Sequence, residues 1–230
     1  MSVATSREAI APPAVAAAPT AARKYAVELI GSFFLTFAVG ASVLSGSPLA
    51  PVAIGVTLMI MVYAGGHISG GHYNPAVTTA ALVRGRIDLK DAVGYWLAQL
   101  VAGIVAAVTV RWVVAPAHIT TLALSGHTLA AAFVVELLFT FALAYVVLNV
   151  ATSKDHPDNS FYGLAIGFTI MAGAIAVGGI SDGVFNPQVG FGLATLGMIT
   201  WATWGIYLLA QIAAGVAAGL VFRALNPTDK

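Results

Sequence analysis

The sequence predicts an all-α membrane protein: six transmembrane helices plus two re-entrant half-helices, arranged as inverted three-helix repeats. Composition, the lengths of the apolar segments and an internal repeat carry that reading. Of 230 residues, 59% are apolar and 8% are charged, with a mean hydropathy of +0.92. A soluble domain carries about 25% charged residues, so an ordinary soluble enzyme and a nucleic-acid binder are both excluded. Ten basic against nine acidic residues leave no polybasic or acidic field. The absence of cysteine excludes disulfides, thiolate catalysis and Cys-bound metal.

The elements follow in chain order. Pro12, Pro13 and Pro19 interrupt the apolar run from Ala11, and no continuous apolar core follows Arg7. Residues 1–24 therefore read as a flexible tail, neither a span nor a secretory signal. Apolar runs of about 20 residues, the length that crosses a bilayer core, follow at 25–45, 50–69, 89–111, 128–150, 160–180 and 203–223. They define a membrane domain over 25–225, with 226–230 as a second tail. Two shorter apolar pieces, 74–83 and 186–198, are too short to span. Irregular backbone at membrane depth is tolerated only where protein or a water-filled cavity surrounds it, so these pieces read as half-helices that enter and turn back. With the N-terminus inside, nine of the ten Lys and Arg residues fall on the cytoplasmic side and only Arg111 falls outside. This is a strong positive-inside bias.

The chain also repeats itself at an offset of about 112. AIGVTLM at Ala53 falls on AIGFTIM at Ala165, ISGGHYNPAV at Ile68 on ISDGVFNPQV at Ile180, and YWLAQLVAG at Tyr95 on YLLAQIAAG at Tyr207. Roughly 20 of about 54 positions from Ala53 to Ala106 are identical to their partners. Glu28 and Glu136 are about 108 apart, so one small gap separates the first helix of each copy from the rest. The copies span about 25–111 and 128–223. Three spans per copy is an odd number, so the second copy enters from the opposite side, and such folds place their site at the repeat interface near the midplane.

Each short piece begins with Asn-Pro: Asn74-Pro75 and Asn186-Pro187. Asn is a strong N-cap and Pro is favoured at the first helical position. Both half-helix starts therefore point at the bilayer centre. Each carries roughly half a positive charge, which repels cations, and the Asn amides supply donors to a passing oxygen. Backbone carbonyls just before each Asn, from Gly71, His72 and Tyr73 and from Gly183, Val184 and Phe185, can serve as acceptors along a pore wall.

These features identify a resemblance. From about Tyr25 to Leu225 the chain resembles the aquaporin, or major intrinsic protein, family, and GGHISGGHYNPAVT from Gly65 is very close to the family's first signature. The resemblance implies a homotetramer with one pore per subunit, passing water or small neutral solutes. It places the central constriction at Asn74, Pro75, Ala76, Asn186, Pro187 and Gln188. It makes Glu28 and Glu136 buried braces of the half-helix loops. Gln99 and Gln211 match each other and read as interhelical polar contacts.

The second signature departs from the family. Where the family reads Asn-Pro-Ala-Arg, this chain reads Asn186-Pro187-Gln188-Val189. Val189 lies three residues after Asn186, on the same helix face, and takes the place of the arginine that narrows the outer constriction. By ungapped counting the other filter positions fall on Ile54, Ala174 and Gly183. This set has no charge and no aromatic ring, so it predicts a wide apolar filter open to glycerol, urea, ammonia, peroxide or undissociated metalloid acids. Two alternatives stand beside that reading. The missing arginine points to a pore permeable to ammonia or ammonium, and Gln188 points to a plugged, non-conducting structural member. No nucleophile–base pair or metal-ligand spacing appears, so neither an enzyme nor a cofactor is expected. The expected surroundings are membrane lipid, water and small neutral solutes, with no nucleic acid. The expected location is a bacterial inner membrane with both termini cytoplasmic.

Overall fold

The structure, a computed structural model, describes residues 18–229. Among the described residues there are eight helices: α1 (Ala21–Leu44), α2 (Ala50–Ser69), α3 (Pro75–Arg84), α4 (Leu89–Val114), α5 (Gly126–Thr152), α6 (Tyr162–Ser181), α7 (Pro187–Leu196) and α8 (Trp201–Leu225). Six are long and apolar enough to cross a membrane; α3 and α7, at ten residues each, are not. Large apolar side chains such as Leu97, Val108 and Leu209 stand exposed on the outside of the bundle. That is the surface a lipid-facing helix presents.

Both ends of the domain differ from the sequence expectation. Helix α1 begins at Ala21, inside the stretch read as a tail, because the Thr20 side chain caps it by accepting from the Arg23 N–H. Lys24 then pairs with Asp91 at the start of α4, at 2.8 Å. Residues 1–17 lie outside the described residues. At the other end Asp229 is anchored rather than loose. Its carboxylate meets the buried Arg84 guanidinium at 2.6 Å and accepts from the Lys154 N–H at 2.9 Å. These ties place the start of α1, the end of α3, the α5–α6 loop and the end of α8 on one face, called here the basic face.

Packing follows the repeat. Helix α1 lies on α4 as α5 lies on α8, and α1 on α2 as α5 on α6. Each half-helix packs against the long third helix of the other copy, α3 on α8 and α7 on α4. The α2–α6 seam closes at Gly55 and Gly167, where a Cβ on Gly55 would stand 2.6 Å from the Gly167 carbonyl. Small residues let backbones approach this closely. Gly215 does the same for α3, with its face against the Ala76 carbonyl, and Gly103 for α7, facing the Gln188 carbonyl at 2.8 Å. The result brings the N-terminal tips of α3 and α7 together in the middle of the molecule.

Candidate channel site

The two tips are built by the same local chemistry. Asn74 Oδ1 accepts from the Ala76 N–H at 2.8 Å, and Asn186 Oδ1 from the Gln188 N–H at 3.1 Å. Each asparagine then reaches across the midplane. Asn74 Nδ2 donates to the Phe185 carbonyl, and Asn186 Nδ2 to the Tyr73 carbonyl, both at 2.9 Å. A primary amide has two N–H groups, so one remains on each asparagine. Both asparagines line a midplane cavity of about 10 Å³, room for about one water molecule.

The loops entering the tips are strained. Tyr73 and Phe185 have φ of 47° and 46°, a left-handed conformation that costs a non-glycine residue about 1–2 kcal/mol. A buried carboxylate holds each of them. Glu28 Oε2 accepts from the Tyr73 N–H at 2.7 Å and from Gln99 Nε2 at 2.9 Å, while Oε1 accepts from the Ser69 hydroxyl and the His72 N–H. In the second copy Glu136 Oε2 accepts from the Phe185 N–H at 2.7 Å and from Gln211 Nε2 at 2.8 Å, and Oε1 from Ser181 and the Val184 N–H. Four donors on each carboxylate offset the cost of burying it. Tyr95 and Tyr207 close the same loops by donating to the Ser69 and Ser181 carbonyls. Trp96 and Trp204 donate to the Pro75 and Pro187 carbonyls at 3.2 and 3.0 Å.

A vestibule of about 780 Å³ opens on the basic face, bordered by His67, Arg86, Lys154 and Tyr162. It shares His72 and Val147 with the midplane cavity, so the two are neighbours. His72 places Nδ1 3.1 Å from the Thr78 hydroxyl and sets its ring edge-on to Tyr95.

Gly71, His72, Asn74 and Asn186 border the midplane cavity together with apolar side chains such as Leu35, Leu58, Val77, Leu143, Ile166 and Ile170. Tyr73, Val184 and Phe185 do not. The Tyr73 ring fills a notch left by Gly31 and Gly65 and its hydroxyl donates to the Met61 carbonyl at 3.0 Å. Phe185 tilts against Phe139 and Gly173. Moreover, the Tyr73 and Phe185 carbonyls, expected along the pore wall, already accept from the opposite asparagine. Pro75, Ala76 and Pro187 are buried in the first turns of the half-helices. Gln188 is fully buried but turned away from the cavity: its Oε1 accepts from the Thr36 hydroxyl at 2.8 Å, and its Nε2 points to the Tyr73 carbonyl at 3.4 Å.

On the far side from the vestibule, Gly183 lies against Ala174, where an added Cβ would stand 3.1 Å from the Ala174 Cα. Val189 is buried, and the half-buried Ile54 packs against the same apolar cluster. Asp182, just before Gly183, is exposed in the C-cap of α6.

Sequence reasoning missed the serines, tyrosines and tryptophans that finish the loops, the Thr36 partner of Gln188, and the Arg84–Asp229 pair. Ser69/Ser181 and Tyr95/Tyr207 were visible as identities in the 112-residue repeat. The tryptophans were hidden, because Trp96 and Trp204 sit 108 apart, one helical turn out of that register.

A profile of the family described as MIP, major intrinsic protein, matches residues 15–222. The chain belongs to the major intrinsic protein family. Among its similar relatives is the glycerol uptake facilitator protein-like 6 of Lactiplantibacillus plantarum, 38% identical over 90% of this chain and all of that protein. Aquaporin TIP1-1 of Arabidopsis thaliana is 36% identical over 83% of this chain and 77% of its own length. In fold the chain is similar to the aquaglyceroporin from Plasmodium falciparum, with a TM-score of 0.72 at 22% identity, covering 91% of this chain and 96% of that one. Major intrinsic proteins are channels and not enzymes. This one is accordingly an integral membrane protein of six apolar spans, and its passage serves water or small solutes.

Proposed function

We propose that the channel conducts water and small uncharged solutes of the glycerol, urea, ammonia and peroxide class. Conduction is passive, with one pore per subunit and a wide apolar outer filter of Ile54, Ala174, Gly183 and Val189. The observation that carries this reading is the chemistry of that set: Val189 stands where a guanidinium would narrow the throat and repel cations. Apolar walls give a solute no replacement hydrogen bonds, and a filter without bulk excludes little by size. Selection then falls to the midplane, where the remaining Asn74 and Asn186 donors and two positive helix ends favour an uncharged solute with an acceptor oxygen. The likeness to a protein named a glycerol uptake facilitator supports the same solute class. The engagement of Gln188 by Thr36 favours an open midplane over a non-conducting member.

The basic face is assigned to the cytoplasm of a bacterial inner membrane, with both termini there, on the nine-to-one distribution of basic residues. Assembly as a homotetramer is what the family resemblance implies.

The test is stopped-flow light scattering on purified protein in liposomes, with an osmotic shock and then glycerol and urea gradients, for wild type beside Val189→Arg. Wild type is expected to pass the larger solutes, and the arginine variant to lose them while keeping water. Equal glycerol flux in both proteins would remove the open filter.

A further inference from the structure

We infer that Thr36 and Gln188 form a clasp that holds the Gln188 amide out of the conduction path, making Thr36 a positioning residue for the pore. The inference rests on the channel reading above and adds a determinant to its midplane.

Gln188 occupies the second position of α7, next to an asparagine that lines the cavity, and its side chain is fully buried. An amide of that length has two places to satisfy its polar atoms. One is the lumen, which lies beside Asn186. The other is the wedge between α1 and α4, which the side chain takes: Thr36 donates to Oε1 at 2.8 Å, and a Cβ built on Gly103 of α4 would stand 3.3 Å from the same oxygen. Its Nε2 converges with Asn186 Nδ2 on the Tyr73 carbonyl, at 3.4 and 2.9 Å. That carbonyl therefore has two donors, whereas the matched Phe185 carbonyl accepts an amide donor from Asn74.

The internal repeat gives an independent argument. Helices α1 and α5 correspond at an offset of 108, as Glu28 to Glu136, and the half-helices at 112, as Asn74 to Asn186. By those offsets Thr36 corresponds to Ala144 and Gln188 to Ala76. Of the two symmetry-related contacts between the copies, Thr36 with Gln188 carries a hydroxyl and an amide, and Ala144 with Ala76 carries two methyl groups. The polar pair occurs together and is hydrogen-bonded, and the apolar pair occurs together. A buried polar group left alone is costly, so a glutamine beside the tip requires a donor from α1, and Thr36 supplies it.

The consequence is asymmetric between the two residues. Thr36→Val keeps the shape and removes the donor. Gln188 Oε1 is then left in a dry wedge, and the nearest hydrating surface is the lumen. The amide swings there and obstructs it. Gln188→Ala removes the amide and cannot obstruct.

The experiment measures water and glycerol flux in proteoliposomes for wild type, Thr36→Val, Thr36→Ser, Gln188→Ala and the Thr36→Val/Gln188→Ala pair. The expected result is a roughly fivefold fall in both fluxes for Thr36→Val, wild-type flux for Thr36→Ser, and recovery in the double variant. Wild-type flux in Thr36→Val, or a double variant as slow as Thr36→Val, overturns the clasp. Should Thr36→Val not yield folded protein, Thr36→Ala, the residue found at the matched position 144, carries the same comparison. A silent wild type would sink the channel reading instead. The clasp is then judged by thermal melting of wild type, Thr36→Val, Gln188→Ala and the double variant, where non-additive shifts support the Thr36–Gln188 bond and additive shifts overturn it.

Discussion

Glu28→Gln isolates what holds the first half-helix loop in place. The carboxylate accepts four hydrogen bonds: two backbone N–H groups, one hydroxyl and one amide. Glutamine has the same shape but turns one oxygen into a donor. Placed at the Oε1 position, that NH₂ group confronts the His72 N–H; placed at Oε2, it confronts the Tyr73 N–H. Gln99 and Ser69 can reorient to accept, but a backbone N–H cannot. One buried backbone donor is therefore left without a partner in either orientation, at about 1–3 kcal/mol. The three remaining bonds change from charge-assisted to neutral, losing about half their strength, or roughly 1 kcal/mol each. The sum is about 4–6 kcal/mol, and it falls on a loop already holding Tyr73 at φ 47°. For a chain of this size about 1 kcal/mol moves the melting midpoint by roughly 2–4 °C, so Glu28→Gln should melt at least 8 °C lower in detergent. The matched Glu136→Gln should show a fall of similar size, because its four bonds are the same in kind. A Glu28→Gln protein that melts with wild type would refute the argument that this carboxylate braces the loop.

Other predictions follow from the same geometry. Gly31→Ala drives a Cβ into the Tyr73 ring and should destabilise by about 1–3 kcal/mol; Tyr73→Leu in the same protein should recover part of the loss in a melting assay. Gly167→Ala forces a methyl against the Gly55 carbonyl, which is backbone and cannot yield, so it should cost at least as much and should not be recovered by trimming a side chain. Trp204→Phe removes the hydrogen bond to the Pro187 carbonyl and part of the ring packed on Phe191 and Trp201, and should cost about 1–3 kcal/mol. The pH dependence should centre on Asp229. Burial pushes its carboxyl up, but the Lys154 N–H and the Arg84 and Arg86 guanidinium groups outweigh burial and hold it below its usual value. A depressed acid contributes stability above its unfolded value, near about pH 3.9, and loses it as pH falls through the folded value. Asp229→Asn should therefore lower the melting midpoint at neutral pH and flatten its fall below about pH 4, measured across an acid series.

How far the site was legible in the sequence depends on register. The segment from Ala53 to Ala106 aligns with its partner without a gap, so the half-helices, their asparagines and the serines and glycines around them stand out as identities at one offset. Helices α1 and α5 run at a different offset, and a four-residue slip is one helical turn. Glutamates four residues out of step still face the loops they brace, so Glu28 and Glu136 were readable as a pair. Thr36 was not. It has no counterpart of its own kind, since residue 144 is alanine, and its partner Gln188 lies 152 positions away on an element of the other offset. The tail was misread for a related reason. In NPTDK a lone aspartate looks like solvent-facing charge, and only the fold reveals Arg84 buried beneath it, with its guanidinium also 4.3 Å from the Phe222 ring.

The difference between the two kinds of feature is physical. A repeat records what both copies must do: start a half-helix at the midplane and satisfy the loop that precedes it. What distinguishes this channel lies where the copies disagree, at Gln188 against Ala76, Thr36 against Ala144, and Arg84 against Leu196. Each disagreement places a polar group on one side of the pseudo-two-fold axis, and in each the group has its partner from a separate element. An unpaired polar group is costly in a low-dielectric interior, so a one-sided polar residue points to a one-sided donor or acceptor nearby. Subtracting one repeat from the other therefore gives a direct route to the residues that set this channel apart. Thr36 is the one that route adds beside the pore, where its hydroxyl and the lumen compete for the same amide.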